Sequence, residues 1–164
     1  MKAKLGIAAI ALSLSASAMS EMYGSASYGL LETEAGTTDF DTPTLNLTFG
    51  ATLNPNFALE GRLGFGVDDD TKGPFTVEIE DFIGIYAKPM LPISDVVTLY
   101  GLLGVAETSI DTNFGDDDDD DISYGLGLSA KLQNNVDLFA EYISLYDDDD
   151  IEVNGFNLGA SLRF

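Results

Sequence analysis

Phe156-Asn157-Leu158-Gly159-Ala160-Ser161-Leu162-Arg163-Phe164 is the stretch whose reading decides the fold. Every second residue is apolar: Phe156, Leu158, Ala160, Leu162 and Phe164. Asn157, Gly159, Ser161 and Arg163 fill the positions between. A period of two predicts a strand with one apolar face and one small or polar face. Its length suits a membrane-spanning strand, about 9–11 residues. An aromatic strand at the end of a soluble chain would be a sticky edge. In a closed barrel the last strand pairs with the first and no edge remains.

The same alternation recurs upstream. A first strand is expected from Met22 to Glu32, with Gly24, Ala26, Tyr28 and Leu30 on one face and Ser25, Ser27 and Gly29 on the other. The second, Thr44 to Leu53, sets Leu45, Leu47, Phe49, Ala51 and Leu53 against Thr44, Asn46, Thr48, Gly50 and Thr52. Asn54-Pro55-Asn56 then makes a tight turn into a third strand, Phe57 to Val67. The fourth, Phe75 to Lys88, is ambiguous in phase: Val77, Ile79, Ile83 and Ile85 compete with Phe82, Gly84 and Tyr86. A bulge near Asp81 would reconcile them, because one extra residue swaps the faces. The fifth, Val96 to Ile110, is apolar on both faces, which leaves its facing open. The sixth (Ile122 to Leu132) and seventh (Val136 to Leu145) alternate well, and the quoted stretch is the eighth.

The connections alternate in kind. The first, third, fifth and seventh are longer and hold Asp39, Asp41, Asp68 to Asp70, Asp111, Asp116 to Asp121 and Asp147 to Asp150. The second, fourth and sixth are Asn or Pro turns with almost no charge. An up-and-down meander sends odd and even connections to opposite poles, so the acid collects at one end. Large apolar side chains (Phe49, Phe57, Phe65, Tyr124, Phe156, Phe164) face away from glycine-rich surfaces. Small residues suit a narrow interior, whereas a soluble surface would carry more Lys and Glu. The fold class expected is all-β, an eight-stranded antiparallel up-and-down transmembrane β-barrel.

The N-terminus reads differently. Lys2 and Lys4 precede an apolar run, Leu5 to Leu14, and then small residues to Ser20. That is the pattern of a secretory signal peptide. Residues 1–20 are therefore expected to be cleaved, after Ala18 or Ser20, leaving residues 21–164 as the barrel domain. With no Cys, lipoprotein processing and disulfides are both excluded. The net charge is −21, and without Lys2 and Lys4 five basic residues face 28 acidic ones, about −23. Nucleic acid is a poor partner for such a chain, since phosphates need clustered Lys and Arg.

Chemistry has little room. The chain has no His, so a Ser-His-Asp triad and a His- or Cys-bearing zinc site are both excluded. General-base work would fall to a tuned carboxylate. Glu60, Arg62, Lys131 and Glu141 lie on the expected lumen faces. The third and seventh strands are opposite in an eight-membered ring, so Arg62 is placed to meet Glu141, with Glu60 and Lys131 extending an ion-pair network. Such a network plugs the lumen or gates it. The run Asp116, Asp117, Asp118, Asp119, Asp120, Asp121 offers oxygen ligands for Ca²⁺ or Mg²⁺. Its spacing does not match an EF-hand, and such runs are ordinarily solvated, mutually repelling segments. No cofactor is expected beyond loosely bound divalent cations.

Gly84-Ile85-Tyr86-Ala87-Lys88-Pro89 with Val97-Thr98-Leu99-Tyr100-Gly101-Leu102-Leu103-Gly104-Val105 resembles a hairpin of the OmpX/Ail-type outer-membrane proteins. Ser123 to Leu128 with Leu138 to Tyr142 does the same. The whole region from Glu21 is similar to the small outer-membrane barrel, porin-like family that includes the OmpA transmembrane domain. The resemblance implies a Gram-negative outer-membrane location, contact with lipid and lipopolysaccharide, and insertion by the barrel-assembly machinery. In that light Phe156, Leu158, Ala160, Leu162 and Phe164 read as a C-terminal assembly signal. No OmpA-type peptidoglycan-binding domain is expected after the barrel. The expected function is non-enzymatic: a monomeric surface barrel with a structural or interaction role. The alternatives are a narrow ion- or small-solute-conducting porin and a soluble periplasmic lipocalin-like binder.

Overall fold

A computed structural model describes residues 21–35, 38–67, 70–72, 75–112, 115–148 and 151–164. The expected signal peptide, residues 1–20, lies outside the described residues. The strands are β1 (Glu21–Ala35), β2 (Thr38–Asn54), β3 (Phe57–Gly66), β4 (Asp70–Lys72), β5 (Phe75–Pro92), β6 (Val97–Thr112), β7 (Gly115–Gln133), β8 (Val136–Asp148) and β9 (Ile151–Arg163). Apart from β3 and β4, consecutive strands pair antiparallel, β1 pairs with β9, and β3 pairs directly with β5. Eight long strands thus close into a ring, while three-residue β4 is an added flap on β5. Closure leaves the spanning ladder without a free edge, which lipid requires. Among the described residues no helix is long and apolar enough to cross a membrane, so crossing falls to the strands.

The faces follow the alternation. Tyr28, Leu30, Leu45, Leu47, Phe49, Leu63, Phe65, Tyr124, Leu126, Phe156 and Leu158 are all exposed on the outside. Such an apolar belt is stable only against hydrocarbon. The fourth expected strand, now β5, has its bulge between Ile79 and Asp81. Beyond it Phe82, Gly84 and Tyr86 face inward. In β6 the inward set is Tyr100, Leu102 and Ala106, with Leu103 and Val105 outside. The facing that sequence left open is settled by bulk: Tyr86 and Tyr100 each need a glycine opposite, and the lumen supplies it.

One expectation is corrected. The acidic connections are not long loops in the described backbone. β1 and β2 run on to pair Ala35 with Thr38, β6 and β7 to pair Thr112 with Gly115, and β8 and β9 to pair Asp148 with Ile151. Asp39, Asp41, Asp111, Asp116 to Asp121, Asp147 and Asp148 therefore lie in strands. A ladder leaving the membrane needs no apolar face, so apolar alternation ends before the strand does. Asp149 and Asp150 lie outside the described residues.

Candidate functional site in the barrel lumen

The lumen is built in levels. Nearest the short turns is a vestibule of about 800 Å³ lined by Tyr23, Lys88, Lys131, Asp137 and Arg163 among others. Its floor is the charged cluster. Toward the long hairpins the interior turns apolar, with Leu31, Phe82, Leu102, Ile143, Leu145 and Val153 packed together.

Register places the charges. Arg62 on β3 stands opposite Gly84 of β5, and Glu141 on β8 opposite Gly127 of β7. Both are buried and meet inside the ring. Arg62 donates from Nη1 to Glu141 Oε1 and from Nη2 to Glu141 Oε2, the latter at 3.1 Å. It also donates from Nε to Glu60 Oε2 at 2.8 Å. Lys88 Nζ donates to Glu60 Oε1 at 2.7 Å. Tyr23 donates its hydroxyl to Glu60 at 2.5 Å, and Tyr100 donates to Glu141 at 2.9 Å. Asn157 Nδ2 adds a further bond to Glu141 Oε1 at 3.2 Å, and Asn46 in turn donates to Asn157.

Two carboxylates and two cations balance, and each carboxylate oxygen has a donor. Both are conditions for keeping buried ions charged. The cations also lie against aromatic faces: Arg62 is 5.2 Å from the Tyr86 ring centroid, and Lys88 is 4.0 Å from that of Tyr100. These contacts add to the ion pairs where water is scarce.

Of the four residues expected in the network, the structure brings together Glu60, Arg62 and Glu141. Lys131 is not part of the cluster: it is exposed at the vestibule, and Lys88 takes the place beside Glu60. Lys131 sits close to the β7–β8 turn, beyond reach of the ring's middle. Reading Phe82, Gly84 and Tyr86 as one face would have added Lys88, two residues on. The tyrosines were missed too. Each lumen aromatic stands across from a glycine on the next strand: Tyr23 from Gly50, Phe82 from Gly64, Tyr86 from Gly104 and Tyr100 from Gly127. A Cβ built on Gly50, Gly64 or Gly127 would run into the ring that covers it.

The C-terminal residues Phe156, Leu158, Ala160 and Leu162 form an exposed stripe on the outside of β9, and Phe164 follows it. The Phe164 ring lies 6.2 Å from that of Phe49, and its N–H donates to Met22 O at 2.9 Å. The terminal aromatic thus locks the seam where β9 meets β1. The backbone of Asp116 to Asp121 lies in β7; their side chains fall outside what is described. Among the described residues no group of three or more acidic, His or Cys side chains could hold a metal.

An apolar belt around a closed, filled ring of eight strands defines a small outer-membrane barrel. Residues 5–164 match the family described as "Outer membrane protein beta-barrel domain", and the chain belongs to that family. No curated protein matches it by sequence. Its fold is similar to that of Ail, the attachment invasion locus protein of Yersinia pestis, solved in complex with the heparin analogue sucrose octasulfate. That pair has a TM-score of 0.67 and 22% identity, over 88% of this chain and 98% of Ail. Neisserial surface protein A gives a TM-score of 0.58 at 18% identity, over 87% of this chain and 95% of that one. The N-terminal β-barrel domain of Pseudomonas aeruginosa OprF gives 0.58 at 14%, over 85% and 97%. The chain is an outer-membrane β-barrel protein of the Gram-negative kind, with a fold like that of Ail.

Proposed function

We propose that this protein is a plugged, non-enzymatic barrel whose work is structural and at the cell surface. The observation that carries the reading is the filled lumen. The Glu60–Arg62–Glu141–Lys88 cluster sits across the interior. The apolar layer of Leu31, Phe82, Leu102, Ile143, Leu145 and Val153 backs it toward the hairpins. An ion leaving the vestibule would have to break paired charges and then cross apolar side chains. Eight strands leave an interior just wide enough for side chains to fill. This favours the plug over the conducting alternative, and the lipid-facing belt counts against a soluble binder.

The surface part of the reading rests on charge. The hairpins that project at the pole opposite the short turns carry most of the acid of a −21 chain. Short turns face the periplasm in outer-membrane barrels, so the acidic pole faces outward. A polyanion such as the sulfated sugar seen with Ail would be repelled there. Cations bridging the Asp run to lipopolysaccharide phosphates are the compatible contact. The C-terminal stripe serves as the signal for the assembly machinery. The absence of His supports a protein without acid–base catalysis at neutral pH.

Planar-bilayer recording tests the plug. The purified barrel is expected to give no regular conductance steps, with Arg62→Ala also closed because the apolar layer remains. Stable ion-selective steps from the unaltered protein would overturn the reading in favour of a narrow porin.

A further inference from the structure

The barrel wall is interrupted within β5, on the side that faces lipid. Pro89 lies inside β5, a strand bonded on both sides in a closed ring. Proline is ordinarily confined to edges and bulges, because it has no N–H for the ladder. Met90 N–H donates to Asn56 O on the β3 side at 2.8 Å. Alternate residues point to alternate neighbours, so Pro89 presents its nitrogen to β6. The β5–β6 register runs through Ala87–Leu103 and Met90–Tyr100, which sets Pro89 opposite Gly101 with the pairing interrupted between. The Gly101 carbonyl therefore faces a nitrogen that cannot donate.

Side chains leave the same place open. Gly101 contributes none, and Pro89 Cγ would lie 3.5 Å from a Cβ built there. A notch of about 190 Å³ results, lined by Pro89, Met90, Leu91, Leu99, Gly101 and Leu126 among others. It is continuous with the lipid-facing belt, since Leu91, Leu103 and Leu126 beside it are exposed. It lies about four residues from the short turn at 93–96, toward the short-turn end of the apolar belt.

We infer that this notch is a phospholipid site in the periplasmic leaflet. An acyl chain fills the aliphatic groove, and an amine-bearing headgroup donates to the Gly101 carbonyl. The donor chemistry follows from the acceptor: phosphoethanolamine carries N–H groups, and phosphocholine has none. In a membrane an unpaired carbonyl is strongly disfavoured, so a lipid that pairs it is selected over one that does not.

The chain has no Trp, so Leu103→Trp supplies a lone reporter on the rim. The folded barrel is placed in phosphatidylcholine vesicles holding a minor fraction of lipid brominated in its acyl chains. Brominated phosphatidylethanolamine is expected to quench as though enriched about fivefold beside the reporter, the factor one hydrogen bond gives. Brominated phosphatidylcholine should quench at its bulk fraction. Gly101→Leu, which fills the notch, and Pro89→Val, which restores the ladder N–H, should each abolish the excess. Each is checked for folding by its mobility on unboiled gels. Equal quenching by the two headgroups, or an excess that survives Pro89→Val, would overturn the inference. So would an excess that falls as protein density rises, which would place a second barrel in the notch.

Discussion

Arg62 holds the interior together at the scale of single residues. It is buried and bonded to both lumen carboxylates, so removing it strands two charges at once. Arg62→Ala should destabilise the barrel by about 3–5 kcal/mol, the usual loss when one partner of a buried pair is deleted. Urea titration of the refolded protein in detergent would measure it, and a change below about 1 kcal/mol would sink the network as a stabilising element. Arg62→Lys should recover little, because an ammonium cannot bond two carboxylates in a fork. Lys88→Ala should cost less than Arg62→Ala, since Glu60 keeps Arg62 and Tyr23. Ring geometry made the Arg62–Glu141 approach legible in the sequence, because opposite strands of a small barrel share one lumen. Lys88 was not legible, because apolar residues lie on both faces of its strand and a bulge near Asp81 swaps them, so alternation alone left open which face looks inward.

Pairs of strands are organised by glycine as much as by apolar residues. Gly127 is the platform on which the Tyr100 ring rests, and a side chain there must displace it. Gly127→Val should therefore destabilise by about 1–3 kcal/mol through overpacking. Adding Tyr100→Ala should recover part of that loss, so the double variant is less damaged than the sum of the singles. Strict additivity in the same urea titration would refute the pairing. The aromatic that ends the chain acts on another seam. Phe164→Ala loses the contact with Phe49, and its expected effect is a lower yield of barrel in outer-membrane fractions with the folded product's stability little changed. A normal yield in pulse-labelled cells would remove the assembly role. Strands such as β2, β7 and β9 could be read directly, because half-buried alternation is a lipid-facing signature. Their outer ends could not: from Asp116 to Asp121 the ladder continues in residues of low strand preference, held by pairing with β6 rather than by any face.

For the whole molecule, closure and charge are what distinguish it. The chain is strongly acidic, yet four of its seven basic residues, Arg62, Lys88, Lys131 and Arg163, line the vestibule at the pole of short turns. The acidic hairpins stand at the other pole, so self-repulsion acts mainly on segments outside the ring. Raising salt should therefore tighten the hairpins while barely moving the barrel's unfolding, since screening acts on exposed charges and reaches buried pairs weakly. The ring itself resists denaturation kinetically. Opening it means parting a seam such as β1–β9 along its length, from Tyr23–Arg163 to Ala35–Ile151, before any other strand can leave. Such a barrier makes stability a matter of rate rather than equilibrium. On a detergent gel the unboiled protein should migrate away from the boiled form, and Arg62→Ala should convert at a lower temperature than the unaltered chain. Identical mobility with and without boiling would mean that the seam opens freely, and the plug would then have no closed wall to fill.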